Sequence, residues 1–417
     1  MKRLLALCLL TTATAAADSV VVRAGHLVDP AAGTAAANQI IVIENGKIKS
    51  IGANPTIPAN AQVIDLSNAW VLPGMVDAHT HVTMNLPPSP PGESLWEKYL
   101  LSESSGIRTA RGLHNAELLL RAGFLAIRDV GNGGNFADTA VREAIEKGWF
   151  PGPTVVNCGK IIGPFGGQSH GYAPEQGPFW QYEYFDADTP DEIRKAVRKN
   201  IYYGATCIKL VSDNSAFHYG EAEVRAAVDE AHRAGLAVAD HLRADDAARD
   251  AINGGIDSVE HGYFLTPDVL RLMKKKGTWL VGTDFPYEHM VAFGSIGDLD
   301  AKTGSAAIVT RLTNAYKIGV KMAFGSDVVA ELPGKNRVDM MFDFLDVWKK
   351  AGIPDADILR AWTVNGFELL RLGKERGAIA VGKAGDLIAV PGNPLDDIHE
   401  LKRVSFVMKD GKVIRRP

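Results

Sequence analysis

Two histidines separated by one residue, His79 and His81 in "DAHTH", are the first residues with evident chemistry. On a β-strand, a spacing of two puts both side chains on one face. Lys209 stands inside an apolar run, "TCIKLVS". His241 ends "LAVADH", His261 ends "IDSVEH", and Asp327 ends "MAFGSD". Alone, each has an ordinary explanation, such as a hydrogen-bonded core histidine or an aspartate capping a helix. Together, four imidazoles and a carboxylate are donors that suit zinc, with Mn and Co as alternatives.

Lys209 needs a separate account. "GATCIKLVSD" reads as a short strand buried on both faces, where an ammonium is costly to desolvate. An ammonium also has no lone pair for a metal. Burial lowers a lysine's pKa and makes the neutral amine accessible. A neutral amine can take up carbon dioxide and become a carbamate. That anion has two oxygens, enough to bridge two metal ions, and adds a charge that four neutral histidines lack.

The elements that must position these residues alternate along the middle of the chain. "GMVDAHTH", "FLAIRDVG", "TVVNCGKIIG", "TCIKLVS", "LAVADHL", "IDSVEHG", "TWLVGTD" and "VKMAFGSD" read as strands. Helical patterns with Thr or Asp starts and Gly ends follow most of them. Eight βα units over residues 74–375 predict a (β/α)8 TIM barrel, whose chemistry lies at the C-terminal strand ends. The candidate residues all fall there. A doubly wound sheet would want a Gly-rich phosphate loop after the first strand, and none is present. Residues 18–73 and 376–417 are β-rich, with Asn45-Gly46 and Asp410-Gly411 as hairpin turns. They predict a small β-sandwich domain built from both termini.

Residues 1–17 read as a secretory signal peptide: Lys2 and Arg3, then "LLALCLL", then an Ala-x-Ala site. Cleavage after Ala17 would give a periplasmic or secreted protein starting at Asp18. Removing this segment leaves Cys158 and Cys207, expected as two buried thiols although a bridge between neighbouring strands is open. Over 417 residues the net charge is only −4, and no basic block points to nucleic acid. No run is long and apolar enough to span a membrane, so no membrane anchor is expected.

"LPGMVDAHTH", "IKL", "SVEHG" and "FGSD" resemble the amidohydrolase superfamily, from the first β run to "GKVI". The likeness is greatest to its imidazolonepropionase-like branch, which includes metal-dependent Xaa-Pro and other dipeptidases and ochratoxin-hydrolysing amidases. It implies two divalent ions, with zinc the expected metal, and N6-carboxylysine at Lys209. His79, His81 and Asp327 would hold one ion, His241 and His261 the other, and Lys209 would bridge them. Relatives often carry His-x-His in the fifth strand; here "ADHL" leaves Asp240 in the other slot.

The implied reaction is amide hydrolysis by a metal-bridging hydroxide, with Asp327 moving the proton. His170 in "PFGGQSHGY" and Tyr219 in "FHYGEAEV" occupy places where relatives touch the substrate carbonyl and carboxylate. Dipeptides or N-acyl amino acids, including aryl-acyl phenylalanines, are the expected small-molecule substrates, and a homo-oligomer is expected. Cyclic amides or lactones would suit the same metal centre. A deaminase would carry a Glu after the fifth strand, and "HLRADD" has none. A non-enzymatic scaffold would have lost ligands that this chain keeps. Arg128 and Asp129 read as a structural pair. His26, His114, His218, His232, His289 and His399 read as surface or core residues, and the Pro-rich "NLPPSPPGES" as a mouth or contact loop.

Overall fold

A computed structural model describes residues 19–86, 99, 101–131, 133–169, 172–213, 217–293 and 300–417. The expected signal peptide, His170 and nearly all of the Pro-rich loop lie outside them.

The chain opens with four strands: β1 (Ser19–Asp29), β2 (Thr34–Glu44), β3 (Lys47–Gly52) and β4 (Gln62–Leu72). Asn45 and Gly46 both have positive φ, 50° and 76°, so the two-residue turn from β2 to β3 is the primed type that matches strand twist.

The barrel follows: β5 (Met75–Thr80), β6 (Phe124–Asp129), β7 (Thr154–Asn157), β8 (Ile161–Gly163), β9 (Tyr184–Asp186), β10 (Ile208–Val211), β11 (Val238–Leu242), β12 (Ser258–His261) and β13 (Trp279–Val281). All their pairings are parallel. The expected third strand is split. β7 pairs with β6, and β8 pairs with β10 and β9. The eighth strand is too irregular for a long ladder, yet it closes the ring. Leu280 bridges Met322, and the Ala78 N–H donates to the Phe324 carbonyl at 2.9 Å.

The chain returns to the first domain with β14 (Leu387–Val390), β15 (Phe406–Lys409) and β16 (Lys412–Arg415). β14 runs antiparallel to β4, giving one seven-stranded sheet in the order β16-β15-β14-β4-β1-β2-β3. Val22, Ile41, Ile64, Leu387 and Phe406 form its own apolar core. The Asp410-Gly411 turn packs on the Asn45-Gly46 turn, and a Cβ on Gly411 would lie 2.9 Å from the Gly46 Cα. The chain is therefore a TIM barrel with a β domain contributed by both ends.

Ile208 and Leu210, which flank Lys209, are fully buried. Each contributes about 1.5–3 kcal/mol, enough to offset part of the cost of burying Lys209 between them. One apolar cluster joins buried residues of β5, β6, β10 and β12 to the helices packed around them.

One expectation is corrected here. Cys158 and Cys207 are joined in a disulfide, with Cα atoms 4.4 Å apart. Cys158 follows β7 and Cys207 precedes β10. The Thr206 and Cys207 N–H groups both donate to the Asn157 carbonyl, at 2.7 and 3.1 Å, which draws the two strand ends together.

Candidate metal centre

His79 and His81 leave the C-terminal end of β5 on one face, as their spacing requires. His79 Nδ1 lies 2.7 Å from Glu260 Oε2. Glu260 is held as a carboxylate and only accepts, so Nδ1 carries the proton and Nε2 offers its lone pair. Nε2 lies 3.7 Å from Asp327 Oδ1. His81 repeats the device with a backbone acceptor: Nδ1 donates to the Gly131 carbonyl at 2.9 Å, and Nε2 lies 3.3 Å from Asp327 Oδ1. One donor atom from each of His79, His81 and Asp327 lies within 4.8 Å of the others.

The remaining imidazoles adjoin this group. The His261 ring centroid is 4.9 Å from that of His79 and 4.3 Å from that of His241. His261 Nδ1 is 3.8 Å from Asp327 Oδ2 and is tied at 2.8 Å to the Thr283 hydroxyl, which also meets Tyr263. Lys209 is 2% exposed, and its Nζ has no hydrogen-bond partner. His241 Nε2 and Asp213 Oδ1 are likewise buried without a partner. The fold therefore brings His79, His81, Lys209, His241, His261 and Asp327 to one mouth.

The electrostatics suit ligands. Burial lowers His79 to about 4, with Lys209 adding to the effect and Asp327 opposing it. Burial holds His241 and His261 well below the usual imidazole value, helped at His241 by Lys209 and Arg243 and at His261 by the crowding of the other histidines and Lys209, so both are neutral. His81 is raised: burial works against its charged form, but the Asp327 carboxylate outweighs it. The space between His81 and Asp327 thus favours a cation. Burial lowers Lys209 to about 8, against the pull of Glu260 and Asp240. Buried polar atoms are nearly always paired, so three orphans at the ends of adjacent strands β10 and β11 call for an occupant. The donor set, two fixed tautomers and these orphans fit divalent cations.

A family model for the amidohydrolase family matches residues 70–414. The chain belongs to the amidohydrolase family. It is a hydrolase of amide bonds, in a family that generally uses divalent metal. Ochratoxinase of Aspergillus niger is 27% identical over 451 residues, spanning 98% of this chain and 89% of its own. A solved Xaa-Pro dipeptidase with methionine in its active site superposes with a TM-score of 0.83 at 27% identity, covering 95% of this chain and 99% of the other. A prolidase complexed with N-methylphosphonate-L-proline gives 0.82 at 25% identity, covering 96% and 100%.

Within this amidohydrolase, several residues lie apart from their expected places. Tyr219 is 1% exposed, and its hydroxyl donates to the Ala187 carbonyl rather than facing the histidines. Arg128 and Asp129 are not a pair, because successive strand residues face opposite ways. Arg128 donates to Glu260 at 2.6 Å, while Asp129 accepts the Val82 and Gly131 N–H groups at 2.6 and 3.2 Å. Asp240 accepts from the Ser212 hydroxyl at 2.7 Å and braces the end of β10. His289, by contrast, is a core residue as expected, buried with its Nε2 3.0 Å from Asp343.

Sequence reasoning missed Glu260, Asp77 and Asp213. Glu260 takes His79, Arg128 and the Ser258 hydroxyl at once. Asp77 accepts the N–H groups of His79 and Ser326, at 3.1 and 2.9 Å, and so couples β5 to the strand end that carries Asp327. A charged residue inside a buried strand was the available signal for both.

Proposed function

We propose that the chain holds two divalent ions, most suitably zinc, at the mouth of the barrel and cleaves dipeptides or N-acyl amino acids. His79, His81 and Asp327 would hold one ion, His241 and His261 the other, with an N-carboxylated Lys209 shared between them. The observation that carries this reading is Lys209, buried and unpartnered beside His79, His241 and His261, whose pKa values its charge helps to lower. Burial favours the neutral amine, whose lone pair can add to carbon dioxide with loss of one N–H proton.

Bound ions would supply Lewis acidity, acidifying a water and polarising the scissile carbonyl. The chain's own residues do the rest. Glu260 and the Gly131 carbonyl keep the Nε2 lone pairs of His79 and His81 directed at Asp327. Asp327 takes the proton of the attacking water and returns it to the leaving amine nitrogen, so that acid and amine products balance. The named relatives, an ochratoxinase and an Xaa-Pro dipeptidase, support substrates in which an amide stands near a free carboxylate. His170 and Tyr219 are the proposed contacts for the carbonyl and that carboxylate. Tyr219 would exchange its bond to Ala187 for this one. The Cys158–Cys207 disulfide supports export, since such bonds persist in oxidising compartments.

The test is metal analysis, then a panel of dipeptides, aryl-acyl phenylalanines, their carboxyl-amidated analogues and lactones. Two ions per chain and strong preference for free-carboxylate amides are expected. Faster turnover of lactones or cyclic amides would replace this substrate class with theirs.

A further inference from the structure

Asp213 follows β10 and belongs to no expected ligand set. Its side chain is 3% exposed. Oδ2 accepts the backbone N–H groups of Arg243 and Ala244 in the loop after β11, the latter at 3.2 Å, so the carboxylate is fixed from one side. Oδ1 is buried with no hydrogen-bond partner. It lies 3.9 Å from His241 Nε2, which also has none. At 3.9 Å the two atoms are beyond hydrogen-bond reach of each other, so a buried oxygen and a buried ring nitrogen face one another with nothing between them to satisfy either. Arg243 and His218 are the basic side chains that act on Asp213, and neither forms an ion pair with it among the described residues.

Two unpartnered donor atoms facing each other across such a gap leave room for a cation bound to both. Zinc sits about 2.0–2.2 Å from nitrogen and carboxylate oxygen, so one ion can touch both atoms at this separation. We infer that Asp213 is a ligand of the ion held by His241, adding a carboxylate to the His241 and His261 side. This rests on the two-ion reading above. Asp213 would make that side more anionic and bind its ion more tightly than imidazoles alone. It would also anchor the β10 and β11 loops to the centre, because the same carboxylate holds Arg243 and Ala244.

The test is Asp213→Asn, which retains an oxygen for the two backbone N–H groups while removing the charge. Wild type, Asp213→Asn and His241→Ala would be stripped, reloaded with Zn2+ and titrated by chelator competition. Cobalt spectra would follow the ligand field, and circular dichroism the fold. The expected result is two ions in the wild type, with one of them weakened about tenfold or more in both variants and a changed cobalt spectrum. Two ions of unchanged affinity and an unchanged cobalt spectrum in Asp213→Asn would overturn the role of Asp213 and leave the two-ion reading standing. A single ion in the wild type would overturn both.

Discussion

Replacing Glu260 with Gln removes one negative charge from beneath the histidines and changes little else in shape. Glu260 is fully buried and accepts from Arg128 Nη2 at 2.6 Å, His79 Nδ1 at 2.7 Å and the Ser258 hydroxyl at 2.5 Å. Burial alone would raise its pKa; Arg128, His79 and Lys209 outweigh burial and hold it at about 2 rather than 4.5. A carboxylate stabilised to that degree contributes about 3 kcal/mol of stability at neutral pH. That contribution is fully present above pH 4.5 and is lost as pH falls through 4.5 toward 2. Stranding Arg128 by removing its partner costs a similar amount, about 3–5 kcal/mol. In the Glu260→Gln variant, the new side-chain amide can turn an N–H toward His79 Nδ1 and convert that nitrogen into an acceptor. The ring proton then moves to Nε2, the nitrogen that faces Asp327. Urea unfolding of metal-free protein should therefore show Glu260→Gln destabilised by about 3 kcal/mol at pH 7, with the gap narrowing on acidification below 4.5. Metal affinity should fall about 10–100-fold. A variant within about 0.5 kcal/mol of wild type, with unchanged metal affinity, would refute the idea that this carboxylate fixes the His79 tautomer.

Other outcomes follow from the same structure. Lys209→Ala should lose metal and activity, with partial return in acetate or propionate, and 13C-labelled carbon dioxide should give a carbamate resonance in wild type alone. Cys158→Ser with Cys207→Ser should lower stability by about 4 kcal/mol in urea, since the bond closes a 49-residue separation; equal midpoints with and without reductant would contradict it. Amino-terminal sequencing of protein exported from a Gram-negative host should read from Asp18, and an intact Met1 would contradict the signal peptide. Tyr219→Phe should weaken free-carboxylate substrates by about 1.5–3 kcal/mol relative to their amides, and equal effects on both would confine Tyr219 to its bond with Ala187.

Much of the site was legible because chemistry in a barrel gathers at strand ends. His79 and His81 declared themselves by their spacing, and Lys209 by standing where an aliphatic residue belongs. Strand rhythm and the two Gly turns gave the barrel and its β companion. Other features depend on distances that a linear pattern does not carry. The Cys158–Cys207 bond requires knowing that the end of β7 and the start of β10 abut at Asn157. The split of the third strand also changes which neighbour each half pairs with. Arg128 could have been read correctly: strand alternation separates it from Asp129 and turns it inward, where Glu260 is its partner.

Alternation also explains why Glu260 was overlooked beside His261. On a regular strand, adjacent residues face opposite sides, so His261 inside would send Glu260 outside. The structure places both at the centre, with Glu260 on His79 and His261 near Asp327. His261 achieves this with φ 67°, and Asp327 and Thr283 also take left-handed backbones, with φ 52° and 43°. Each such residue costs about 1–3 kcal/mol. At the first two, the end of a barrel strand turns its last side chain across the mouth; at Thr283 it brings a hydroxyl to His261 Nδ1. Gly325 permits the close approach behind Asp327, since a Cβ there would lie 2.7 Å from the His79 Cβ and 2.4 Å from Val281 Cγ1. The strain and the tight packing therefore occur where His261 and Asp327 are aimed at His79. The backbone supplies their orientation, which is why four histidines from three strands and an aspartate from a fourth can meet with ring protons assigned at His79 and His81.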